Sequence, residues 1–242
     1  MDSATPVPQL MNQLRTVNPS APRLIWYGPG SERIELSGRV LDNWVAKTSN
    51  LLVEELDATA GTRVALQLPG HWKTLVWALA CWQVGAIPVD GSAGSDQPVD
   101  IVVSSSDAAT VTGPTQLLVL VALGALDLKW SGQLPAGAVD YAAEVRSYGD
   151  EFFDLPPADA DRLAVEQDGM GLGMQVLFDR ASACGWTPAG VLLVPADLPL
   201  ETALAAAVHC WTTGGTLIVV DPGVELTEKL LASERVTDRV GG

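Results

Sequence analysis

Apolar residues in this chain come in blocks whose spacing switches between helical and extended. Val40, Leu41, Trp44, Val45, Thr48, Leu51, Leu52 and Leu56 recur every three or four positions, with charges between them. That spacing predicts an amphipathic helix, and Ser37 stands where an N-cap hydroxyl is wanted. Gly61 closes the region. RVALQLP (Arg63–Pro69) is an apolar run of strand length, Trp72–Val84 is apolar nearly all round, and AIPVD (Ala86–Asp90) follows Gly85 as a second strand. Strand, buried helix and strand with short connections predict a right-handed βαβ unit in a parallel sheet.

The remaining blocks extend this rhythm. Pro6–Val17 reads as a short helix, and RLIWYG, PGS and ERIEL as a hairpin over Arg23–Leu36. Asp100–Ser105 and Leu117–Leu123 read as strands, and Val139–Tyr148 as a helix. Asp150–Asp161 is acidic, carries prolines and is the best boundary. Beyond it come a helix (Met174–Ala183), a strand (Gly190–Pro195), a helix capped by Asp197 and running to Trp211, a strand (Thr216–Asp221) and a helix (Glu225–Ser233). The expected class is α/β, with parallel sheets flanked by helices. The expected division is an arm and short helix (1–22), a first lobe (23–149) and a second, incomplete lobe (150–242).

Composition narrows the function. At 242 residues, with 48% apolar side chains and a mean hydropathy of +0.22, the chain has core enough for strands buried on both faces. Its 29 acidic and 14 basic residues give a net charge of −15. Such a field repels nucleic acid and anionic membranes, so neither is expected as a partner. Cys81, Cys184 and Cys210, with His71 and His209, have no metal-ligand spacing, and no metal or cofactor is expected. The first residues, MDSATPVPQLMNQLRT, lack the basic start and apolar core of a signal peptide, and the apolar run near Leu117–Leu126 is too short to span a bilayer. A reduced, cytoplasmic setting is expected.

Two stretches carry a resemblance. LDNWVAKTSNLLVEELDATAGTRVALQLPGHWKTLVWALACWQVGAIPVD resembles the N-terminal lobe of the adenylate-forming superfamily: acyl-CoA synthetases, luciferases and peptide-synthetase adenylation domains. The family's amphipathic helix, G-x-RVAL-x-LP strand, apolar helix and GA-x-x-VP strand match Leu41–Leu56, Gly61–Pro69, Trp72–Val84 and Gly85–Asp90. TPAGVLLVPADLPLETALAAAVHCWTTGGTLIVVD resembles the family's second half, with Gly214, Gly215 and Thr216 at its usual GAT; VELTEKLLASERVT resembles the next helix. The fold this implies is that of the N-terminal subdomains of adenylate-forming enzymes. None of the matched pieces is catalytic in the family.

The resemblance also implies what should lie between them. Adenylation uses a Ser/Thr/Gly-rich loop with a lysine, whose amides, hydroxyls and cation offset phosphate charge. From Asp150 to Arg180 there is no serine, threonine or lysine; the aligned place reads DRLAVEQDGMGLGMQ (Asp161–Gln175). Gly169, Gly171 and Gly173 are the candidate ligand-binding residues, since glycine lets a backbone approach an anion. From Asp150 to Asp168 there are seven acids, Asp150, Glu151, Asp154, Asp159, Asp161, Glu166 and Asp168, against one base, Arg162. Like charges about 4 Å apart repel by on the order of 1–4 kcal/mol, so Glu166 and Asp168 are expected to repel a triphosphate. The family's adenine-stacking, magnesium-binding, ribose-binding and catalytic lysine positions all lie downstream of the last matched helix, and a naturally short form is expected.

Other residues have structural readings. Ser104–Asp107 is strand-end turn chemistry. His71, and the tryptophans at 72, 77 and 82, are read as packing. Adjacent helical residues point about 100° apart, so His209 and Cys210 do not form a catalytic pair. The turn Gly28–Ser31 is not a phosphate loop. No catalytic residue is assigned. The expected protein is acyl-CoA-synthetase-like and non-catalytic, acting as a homodimer or through a protein partner that covers the second sheet. The alternatives are ATP-dependent carboxylate adenylation, or acyl or CoA binding without catalysis.

Overall fold

Helix α1 (Pro6–Thr16) leads into a hairpin of β1 (Pro22–Gly28) and β2 (Glu32–Ser37), then α2 (Gly38–Glu54), β3 (Arg63–Gln67), α3 (Trp72–Val84) and β4 (Ile87–Asp90). Strands β5 (Ile101–Ser104), β6 (Leu117–Leu120) and β7 (Val139–Asp140) follow, with a short helix α4 (Tyr141–Glu144). The rest holds β8 (Leu163–Gln167), β9 (Met170–Gly173), α5 (Met174–Ala183), β10 (Val191–Pro195), α6 (Leu200–Thr213), β11 (Thr216–Val220), α7 (Glu228–Ser233) and β12 (Asp238–Arg239). This computed structural model describes residues 6–91, 98–106, 116–153 and 162–241. The N-terminal residues 1–5, Asp107, Asp154, Asp159, Asp161 and Gly242 lie outside the described residues, as do most of the boundary segment expected at 150–161 and residues 92–97 of the loop before β5.

The chain divides into two units. One comprises Met1–Asp42, Gly70–Trp72 and Met174–Gly242. Its sheet runs β12-β10-β11-β1-β2, parallel except for the β1–β2 hairpin. Strands β10 and β11 are apolar but for Thr216, because both faces are covered. Ile25, Leu193, Ile218 and Val220 form a buried cluster against Leu230 and Leu231 of α7. The alternate positions, Leu192, Leu217 and Val219, point to the other face. There α6 lies against β10 and β11, and Trp211 donates its Nε1–H to the carbonyl of Arg23 at 2.8 Å. The Arg23 guanidinium is buried and donates to the carbonyls of Gly214, Gly215 and Val17.

The other unit comprises Asn43–Pro69 and Lys73–Gly173. Its sheet runs β7-β6-β5-β3-β4-β8-β9, and only the β8–β9 pair is antiparallel. Central strand β3 pairs in parallel with β4 on one side and β5 on the other. Every residue of α3 is buried, in keeping with a sequence that is apolar around its whole circumference. Trp82 donates Nε1–H to the carbonyl of Ala164 at 2.7 Å, which ties α3 to β8. Leu51 and Leu52 of α2 are buried, and Ser49 of the same helix donates to the side-chain carbonyl of Gln83 at 2.8 Å.

Three expectations need correction. Strands from both sides of the expected 149/150 division share sheets: β1 and β2 belong with β10–β12, and β8 and β9 belong with β3–β7. Backbone pairing between distant segments decides membership here. The helix expected over 139–148 is instead a two-residue strand, a single turn (α4) capped by Asp140, and a 3-10 turn. Asp197 does not cap α6. Pro199 occupies the N-cap, with extended ψ and no side-chain hydrogen bond to the first turn.

Candidate functional site

At the position aligned with the phosphate loop, the chain makes a tight β-hairpin. Strand β8 ends at Gln167, Asp168 and Gly169 turn, and β9 returns with Gln167 opposite Met170 and Glu166 opposite Gly171. Asp168 (φ 50°) and Gly169 (φ 75°) are both left-handed, the signature of a two-residue type I′ turn, for which Asp-Gly is a preferred pair. Gly171 has a packing reason as well: a Cβ there would lie 2.7 Å from a Leu163 methyl. Gly173 is the last residue of β9, directly before α5. The three glycines therefore lie along one extended strand and its turn. Amides on a strand alternate between its two edges; those of a phosphate cradle converge on one point.

The acids around this hairpin differ from expectation. Glu166 is buried and bonded to Arg63 of β3 through both carboxylate oxygens, at 2.5 and 2.7 Å. Those bonds hold the Arg63 guanidinium above its ordinary pKa. Glu166 is thus neutralised from within the sheet and does not contribute the repulsion expected of it. Asp168, Asp150 and Glu151 are exposed. Arg162 is buried and donates to the carbonyl of Trp82.

The other singled-out residues are scattered. His71 is buried between the rings of Trp26 (4.6 Å) and Trp72 (5.6 Å). Ser104 accepts from the amide of Ser106 at 3.2 Å, a strand-end turn. Sequence reasoning weighed His209 only against Cys210. The structure brings it to Cys184, 25 residues upstream, with Nδ1 3.6 Å from Sγ and 3.0 Å from the carbonyl of Ala181. A carbonyl only accepts, so Nδ1 carries a proton and has no lone pair to take one from the thiol. Cys184 itself donates to that carbonyl at 2.9 Å. The pair is structural. Sequence reasoning also missed Lys73, whose buried ammonium donates to the carbonyls of Ala122, Leu123 (3.3 Å) and Gly124 (3.4 Å). A chain-wide pattern carries no signal for contacts this far apart in sequence.

One cleft of about 290 Å³ opens in the first unit at the carboxyl ends of β10, β11 and β12. Leu193 and Val220 form its floor, and Asp197, Asp221 and Arg239 also line it. Among the described residues, no group of three or more His, Cys, Asp or Glu side chains is placed to hold a metal ion. No helix among them is long and apolar enough to cross a membrane.

Comparison with known proteins places this geometry. The acyl-CoA synthetase of Brucella canis superposes with a TM-score of 0.76 at 17% identity, over 95% of this chain and 46% of that one. The inhibitor-bound N-terminal domain of FACL13 from Mycobacterium tuberculosis gives 0.72 at 16% identity, over 96% of this chain and 62% of that one. A fused adenylation–PCP di-domain from Klebsiella oxytoca, NpsA-ThdA, gives 0.70 at 14% identity, over 99% and 43%. The fold is that of the N-terminal portion of acyl-CoA synthetases and adenylation domains, and the chain spans about half of the full-length enzymes it superposes on. A TIGR03089 family protein of Mycobacterium tuberculosis (strain H37Rv) is 31% identical over 251 residues, covering 94% of this chain and 95% of that protein. The chain belongs to the TIGR03089 family. No protein-family model matches it.

Proposed function

We propose that this acyl-CoA-synthetase-like chain is a cytoplasmic, non-catalytic member of its fold that acts through self-association or a protein partner. The observation that carries the first half is the hairpin at the phosphate-loop position. With Asp168-Gly169 closing a two-residue turn and Met170–Gly173 extended, no amides converge on a phosphate, and no serine, threonine or lysine stands within Asp150–Arg180 to bind one. Hydroxyls, amides and a cation are what stabilise a transferring phosphoryl group, so adenylation is disfavoured.

Association is supported by the sheet edges. Strands β9 and β12 each form one of the two edges of their sheets among the described residues. Strand β9 is Met-Gly-Leu-Gly, with Met170 74% exposed at its start. A flat, glycine-rich edge carries none of the charges or prolines that block strand addition. The net charge of −15 opposes self-association at low salt, so a dimer should tighten as salt rises.

Two measurements test the reading. ATP–pyrophosphate exchange with a panel of aliphatic and aromatic acids should show no turnover, and ATP should not raise the melting temperature. Light scattering after gel filtration at moderate salt should give twice 25.4 kDa, or the chain should retain a discrete partner from its own lysate. Acid-dependent exchange removes the non-catalytic reading. A strictly monomeric protein that retains nothing removes the association reading.

A further inference from the structure

The cleft at the end of the first unit's sheet lies where the chain reverses its winding. From β10 the chain steps through α6 to the adjacent β11; from β11 it returns through α7, past β10, to β12. Right-handed crossovers in opposite directions send α6 and α7 to opposite faces. The connections after β10 and β11 therefore part, and a crevice opens between them at the strands' carboxyl ends, the position where open parallel sheets take ligands. The volume of about 290 Å³ suits a small molecule.

We propose that this cleft binds a small amphiphilic amine, an apolar body bearing an ammonium head. The floor of Leu193 and Val220 and the wall of Val224 accept the body. The head is chosen by charge. Two carboxylates, Asp197 and Asp221, line the cleft against one guanidinium, Arg239. Among the described residues none of the three is in an ion pair. One oxygen of Asp221 accepts from the amide of Gly223 at 2.8 Å, which holds the loop and leaves the other oxygen to accept from a ligand. The field of a chain at −15 concentrates cations and excludes anions at every such opening. The head's sign sets this site apart from a carboxylate or nucleotide pocket.

The test is calorimetric titration of the full chain with hexylamine and 2-phenylethylamine, with hexanoate and hexanol as matched controls. Both amines should bind saturably, hexanoate should not, and hexanol should bind at least about tenfold more weakly. Asp197→Asn and Asp221→Asn should each weaken amine binding about tenfold, the loss expected for a hydrogen bond to a charged group; Asn at 221 keeps the acceptor for Gly223. Val224→Trp fills the cleft and should abolish binding with the melting temperature unchanged. Absence of saturable amine binding overturns the proposal. So does hexanoate or hexanol binding as tightly as hexylamine, or amine binding that survives Val224→Trp, which would mark charge attraction to the surface alone.

Discussion

Replacing Glu166 by Gln tests whether the hairpin is held in the sheet by a buried ion pair. The two contacts with Arg63 are 2.5 and 2.7 Å, and the side chains are only 13% and 7% exposed for Arg63 and Glu166. Strand β8 joins β4 through a single paired position, Val89 opposite Glu166, so the change falls at the junction itself. Removing one partner of a buried pair costs about 3–5 kcal/mol, because the other charge stays buried without its counter-ion. Arg63 keeps its Nε bond to the Pro98 carbonyl at 3.0 Å, and Gln retains an acceptor, which puts the loss near the low end, about 3 kcal/mol. Urea unfolding followed by tryptophan fluorescence should show the midpoint fall with m unchanged. The double variant Arg63→Met, Glu166→Leu should recover most of the loss, since apolar replacement of a whole buried pair is close to neutral. A loss below about 1 kcal/mol for Glu166→Gln, or no recovery in the double variant, refutes the reasoning.

Three further outcomes are expected. Thiol labelling of the native protein should modify Cys184 alone: burial pushes the Cys210 thiol up to about 12 and Cys81 higher still, so both should react only on unfolding. Asp140→Ala should cost about 2 kcal/mol or more by thermal melting, because Asp140 caps α4 through the amides of Ala142 and Ala143 and also holds the Trp130 amide at 2.7 Å. Hydrogen bonds from Arg33, with a smaller one from Tyr27, hold the Glu234 carboxyl below its ordinary 4.5. A depressed carboxylate stabilises the fold above its unfolded pKa and loses that contribution as pH falls through the folded value. Urea midpoints should therefore drop below about pH 4.5 more steeply in the wild type than in Glu234→Gln.

The helices and central strands were legible because their signal is local. The apolar repeat of α2, the all-round apolar α3 and the runs of β3, β10 and β11 follow from spacing alone. Sheet membership was not legible. Nothing in RLIWYG indicates that Leu24 will sit beside Leu217, and the same holds for Arg63 with Glu166 and Cys184 with His209. The β8–β9 hairpin is a different case, since Asp168-Gly169 between extended segments is a strong hairpin signal. It was masked by the likeness of its neighbours to a family that has a loop there. Glycine serves both structures, so counting glycines cannot separate a phosphate cradle from a tight turn.

The interleaving of the two units also sets an order in time. Strand β1, with buried Leu24, Ile25 and Trp26, is made well before its parallel partner β11, and 191 residues separate Arg23 from Gly214. At synthesis rates of about 5–20 residues per second, β1 waits about 10–40 s for that partner. The second unit needs nothing beyond Gly173 and can condense first. An apolar hairpin left without its sheet over that interval exposes apolar surface and an unpaired strand edge, the features that promote aggregation.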